Sequence, residues 1–129
     1  MKYRILTTML AWGSIPAVPL LSAADQPTVL EVAELTRDKP VDFSREILPI
    51  FRKNCLACHN ARDTEGDLNL ETPATIAKGG ESGAVVVPGK AAESPLMRHV
   101  RQIEKPFMPP RRNKVSANKL TPHQLGLIQ

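Results

Sequence analysis

Aromatic side chains are scarce in this 129-residue chain, which has one tryptophan, one tyrosine and three phenylalanines. Internal repeats and low-complexity tracts are absent, and at 42% hydrophobic and 23% charged residues the chain is neither a disordered tail nor long enough for a second domain. Acidic residues are missing from the first 24 positions, where Lys2 and Arg4 precede an uncharged stretch from Ile5 to Ala24. That stretch is not one long apolar run. Gly13, Ser14, Pro16 and Pro19 interrupt it, whereas a membrane span needs about 20 predominantly apolar residues. A basic start, an apolar middle and the small residues Ser22-Ala23-Ala24 before Asp25 read as a secretory signal over 1–24. No cysteine lies near the cleavage point, so bacterial lipidation is not expected. The mature chain is then 25–129, without a stable membrane span.

Removal of Lys2 and Arg4 leaves 15 basic against 13 acidic side chains, so the net charge drops from +4 to +2. The basic balance that would have favoured nucleic acid as a partner is largely lost. Tyr3 and Trp12 go too, leaving Phe43, Phe51 and Phe107. A domain of about 100 residues buries only some two-thirds of its unfolded surface, so a large apolar cofactor would help so thin a core to fold.

What is present is an ordered series of short helix signals. Residues 25–41, flanked by Pro27 and Pro40, read as a lead-in linker, with Thr28 and Glu31 at capping-box spacing over a weak apolar stripe. Phe43, Ile47, Ile50 and Phe51 share one helical face. Ser44 or Asp42 can cap this helix, which runs into Cys55; Pro49 must lie in its first turn or kink it. From Ala61 to Pro95, Gly66, Pro73, Gly79-Gly80, Gly83 and Pro88-Gly89 punctuate a wrapping loop region. The alternating Leu68 and Leu70 and the run Ala84–Val87 are too short to indicate a sheet. Ser94-Pro95 opens another helix with Leu96, Val100 and Ile103 on its buried face, and Thr121-Pro122-His123-Gln124 opens a last one.

The oxidising compartment implied by the signal normally turns two lone cysteines into a disulfide, yet here they sit in Cys55-Leu56-Ala57-Cys58-His59. Two thiols three apart on a helical turn can add to the two vinyl groups of one haem, with the adjacent histidine beneath the iron. A disulfide accounts for Cys55 and Cys58 but not for His59. A thioredoxin-like redox pair needs a βαβ setting that the sequence lacks. Zinc would need two further ligands from His59, His99 and His123, where no second metal-type spacing occurs.

Taken together, these features resemble the class I c-type cytochrome domain, and more closely the planctomycete cytochrome c domain. The resemblance covers roughly 41–129: Phe43-x-x-x-Ile47-x-Pro49, the Cys55-x-x-Cys58-His59 motif, Gly66-x-Leu68-x-Leu70, Gly79-Gly80, Ser94-Pro95-Leu96, Met108-Pro109-Pro110 and Leu120-Thr121-Pro122. It implies an all-α, small cytochrome c-like haem domain over 42–129, with three or more short helices and long wrapping loops. It also implies one covalent haem c, with thioethers at Cys55 and Cys58, His59 as proximal iron ligand and Met108 as distal ligand. Pro109 and Pro110 would stiffen the loop presenting Met108. In the family the last helix continues further, usually with an aromatic residue, so the C-terminal helix reads as truncated and the chain as a piece of a larger protein.

Met97 reads as a core residue, and His99 and His123 as solvated. The segment from Arg98 to Gln129 carries seven basic side chains against Glu104 alone, and Arg111 and Arg112 follow the methionine loop. Such a surface can attract an acidic partner, although it also serves simply for solubility. The expected function is single-electron transfer in the periplasm or cell envelope with a redox partner protein, and not enzymatic catalysis. The alternatives are a haem sensor or peroxidase-like site with an open sixth position, and a non-haem binding module containing a disulfide.

Overall fold

A computed structural model describes residues 28–129. The expected signal segment 1–24 lies outside the described residues. Within them the fold is helical and contains no strands; the only pairings of β type are two isolated bridges, His59 with Thr64 and Gly80 with Gly83. No helix among the described residues is long and apolar enough to cross a membrane.

The first helical segment has two parts. Residues Phe43–Ile47 form a π-helical turn that leads into α1, Leu48–Asn54. Asp42 caps the turn by accepting from the Arg45 amide, and the Leu48 amide reaches back to Phe43 O. Pro49 thereby falls within the first turn of α1. There its missing N–H costs little, and the wider π turn relieves the crowding its ring would impose on a regular helix. Ile47, Ile50 and Phe51 are buried, and Phe43 packs edge-on against Phe51 with ring centroids 6.2 Å apart.

Three further helices follow: α2 (Pro73–Lys78), α3 (Pro95–Val100) and α4 (Pro122–Ile128). The wrapping region read from the sequence therefore contains a helix, α2. Thr72 and Thr75 close a reciprocal capping box over its first turn, with Pro73 at the start. α4 begins in the same way from Thr121 and Gln124. Ser94 occupies the N-cap position of α3, but its hydroxyl makes no capping bond. It accepts from the Val87 amide and donates toward Lys90 O, so it fastens the preceding loop to α3.

Leu96, Met97 and Val100 of α3 join Leu70, Leu120, Leu125 and the α1 residues in one core. Ile103, expected on the same face, is 44% exposed. α3 stops at Val100, and Gln102 adopts a left-handed φ of +63° that ends the helical periodicity before Ile103. The described part of the lead-in, 28–41, contains no helix. It lies as an extended strap: Leu30 donates to Arg101 O, Arg101 returns a side-chain bond to Leu30 O, and Ala33 donates to Pro122 O. Leu30 and Val32 pack against the core. Gly126 lets the strap approach α4, because a Cβ there would collide with Ala33 O.

Candidate functional site

The site grows out of the end of α1. The Cys55 and Leu56 amides both donate to Phe51 O, and the Cys58 and His59 amides both donate to Cys55 O. This tight winding brings Cys55, Cys58 and His59 to one wall of a cleft. From α3 and the loop after it, Leu96, His99, Val100, Met108 and Pro109 also line it. Leu68 and Leu70 add to the lining, and Asn113, Val115 and Ala117 stand at the rim. The cleft is a cavity of about 100 Å³ between mostly apolar surfaces.

His59 is held in one orientation. Its Nδ1 lies 3.0 Å from Glu65 O, and because a carbonyl only accepts, Nδ1 carries the proton and Nε2 keeps its lone pair. Metal-ligating histidines are commonly fixed through such a bond on the second nitrogen. Glu65 is in turn anchored by its amide donating to Cys58 O, and Leu70 donates to His59 O.

Both cysteines are free thiols. Burial, and secondarily the neighbouring Cys58, pushes the Cys55 thiol up to about 12. Cys58 is raised as well, by burial and then by the carboxylate of Glu65. Neither is an activated thiolate of the kind a redox-active dithiol uses. Among the described residues no three His, Cys, Asp or Glu side chains gather as a metal cluster, as a structural zinc site would require.

Met108 is pinned at both ends of its backbone. Its amide donates to His99 O at 3.2 Å, and its carbonyl accepts from Gln102 Nε2 at 2.9 Å. Gln102 is 3% exposed. Downstream, Asn113 donates to Pro110 O and Ala117 O and accepts from the Val115 and Ala117 amides. Asn54, buried at the end of α1, accepts from the Asn118 amide and so ties this loop to the cysteine wall. None of these three polar residues carries a sequence signal for its role, since each acts through contacts set by the fold.

The four residues expected to hold a haem, Cys55, Cys58, His59 and Met108, therefore line one cleft. His123, exposed on α4, is not part of it. His99 is, contrary to the solvated position read for it: it is half-buried and turned into the cleft while its neighbour Arg98 faces outward. Two thiols, a thioether and an imidazole with a free Nε2 around an apolar cleft fit an iron porphyrin in donor chemistry and in wall polarity.

The family model described as planctomycete cytochrome C matches residues 55–112. Neither the curated proteins nor the solved structures gave a match. The matched segment runs from the first cysteine past the methionine loop and so takes in Cys55, Cys58, His59, His99 and Met108 of the cleft lining. Over residues 55–112 the chain is thus similar to the planctomycete cytochrome C family.

Proposed function

We propose that the chain is a single-electron carrier holding one haem c through thioethers at Cys55 and Cys58, with His59 Nε2 and Met108 Sδ as axial ligands. The observation that carries this reading is the orientation of His59: Glu65 O fixes its Nδ1 proton and leaves Nε2 as the free donor in the cleft that Met108 also lines. When bound, the haem supplies one-electron Fe(III)/Fe(II) exchange, with a neutral sulfur ligand favouring a higher potential.

The residues of the chain do the rest. With His59 Nε2 and Met108 Sδ both on the iron, no position would remain there for a substrate, which favours a carrier over a catalyst. Leu68, Leu70, Leu96 and Val100 give the cleft an apolar lining, which would limit reorganisation during transfer. Gln102 and His99 O hold the methionine loop by its backbone.

The redox partner, in this reading, docks at the rim. Val115 lines the cleft and is 50% exposed, and Arg111, Arg112 and Lys114 are exposed around it. An apolar contact ringed by cations suits an acidic protein surface. The signal-like first 24 residues support export to the periplasm or cell envelope, where haem is attached to such motifs.

The test is the ferric and ferrous spectrum of the haem-loaded chain beside its Met108→Ala variant. The proposal expects a low-spin parent with a sulfur-to-iron charge-transfer band that the variant lacks. A band that survives the substitution would remove Met108 from the iron, and a high-spin parent would favour the open-site alternative.

A further inference from the structure

The cleft contains a second histidine held as His59 is held. His99 Nδ1 lies 3.2 Å from Glu104 O, so Nδ1 carries the proton and Nε2 retains its lone pair. Nε2 of His99 has no hydrogen-bond partner among the described residues, and the ring lines the same cleft as Met108. The carbonyl that orients it is itself secured. Arg98 pairs with the Glu104 carboxylate at 2.9 Å, and the Ile103 and Glu104 amides both donate to Arg98 O. The turn following α3 is thus closed onto the helix, with Glu104 O presented to the imidazole.

His99 and Met108 are coupled through the backbone, since the Met108 amide donates to His99 O. Both side chains line the cleft that His59 also lines. Met108 sits on a loop, whereas His99 sits on α3.

We infer that His99 is a second distal ligand built into the cleft, able to take the iron through Nε2 when Met108 leaves it, so that the iron passes to bis-histidine coordination rather than to an open site. This rests on the haem reading above. Imidazole nitrogen favours the ferric state relative to thioether sulfur, so exchange from Met108 to His99 lowers the potential and makes the low-potential state one the chain reaches by moving a loop. No bond of the polypeptide is made or broken, and the Nδ1–Glu104 bond persists in both states.

The experiment uses the haem-loaded full chain with Met108→Ala, His99→Gln and the double substitution. Ferric Met108→Ala is expected to remain low-spin and six-coordinate, without the sulfur band. The double variant is expected to be high-spin and to bind added imidazole at least about tenfold more tightly than Met108→Ala, because no internal ligand competes. A high-spin Met108→Ala, or a double variant that stays low-spin, overturns the inference. Should Met108→Ala fold poorly, warming supplies the second measurement. On loss of the sulfur band, the parent should stay low-spin and His99→Gln should turn high-spin; the same spin state in both contradicts the proposal. Failure of the parent chain to bind haem, or survival of the sulfur band in Met108→Ala, would instead strike the underlying reading.

Discussion

Gln102 is the residue on which the placement of Met108 most depends. Its amide donates to Met108 O at 2.9 Å and more weakly to His99 O at 3.4 Å, from a site that is 3% exposed. Gln102→Leu removes the donor while keeping a comparable side-chain volume and an unbranched Cβ, so it leaves Met108 O unsatisfied without opening a large cavity. An acceptor stranded in this way costs about 1–3 kcal/mol. That cost falls on the state with the loop docked, because a released Met108 carbonyl finds water. The ratio of docked to released loop should fall about 5–150-fold. The assay is imidazole binding to the ferric haem form in a His99→Ala background, where Met108 is the sole internal distal ligand. Apparent imidazole affinity should rise by that factor, and the sulfur-to-iron band should weaken. Gln102→Glu should behave similarly, since an ionised carboxylate cannot donate. Unchanged imidazole affinity in both variants would refute the assignment of Gln102 as the positioning residue.

Further expectations follow from the same contacts. In the haem-free chain the unfolded Cys55 thiol ionises near 9.0 and the folded one only at about 12. The folded state then binds more protons across that window, so stability is fully present below about pH 9 and falls toward 12 by at most about 1.4 kcal/mol per pH unit. Urea titrations should show this decline in the parent and lose it in Cys55→Ser; parallel pH profiles would exclude it. Leu125, fully buried in the core, should cost about 2–5 kcal/mol when replaced by alanine, read as a lower urea midpoint. Gly126→Ala forces a Cβ against Ala33 O and should cost about 1–3 kcal/mol while exposing the strap to protease; an uncut strap at parental stability would contradict its docking. Arg111→Glu with Arg112→Glu should slow electron transfer to an acidic acceptor at low salt, and the difference should vanish at high ionic strength.

The parts of the fold legible in the sequence are those where local chemistry and packing agree. Phe43, Ile47, Ile50 and Phe51 reveal the first helix because their spacing coincides with the face that is buried. Thr121, Pro122 and Gln124 reveal α4 because cap, proline and reciprocal bond all fall within one turn. α2 is too short to display a period, and its only clear apolar contact is Ile76. Its signal was instead Thr72-Pro73-x-Thr75, the same cap grammar with threonine in place of glutamine. Ile103 follows the spacing of Leu96 and Val100, but periodicity ceases to mean anything once Gln102 turns left-handed.

The candidate site divides in the same way. Cys55, Cys58 and His59 are visible because porphyrin chemistry fixes their separation along the chain. Met108 follows from the family resemblance, with its two prolines as physical support. A solvated His99 is what the flanking Arg98 and Arg101 suggest, although on a helix adjacent residues point about 100° apart and charge at a neighbour says little about the face. Gln102, Asn54 and Asn113 act on backbone groups brought to them by tertiary structure, as in the bond from the Asn118 amide to Asn54 across 64 residues.

The central claim is covalent haem at Cys55 and Cys58. It is tested most directly by the intact mass of the chain, exported alongside a cytochrome c maturation system and extracted with acid-acetone to strip non-covalent haem. The account predicts a polypeptide heavier by one haem, with the addition mapped to the peptide bearing Cys55 and Cys58 and abolished when both are replaced by serine. Exported, soluble chain at its bare polypeptide mass, or an addition that survives loss of both cysteines, would contradict it.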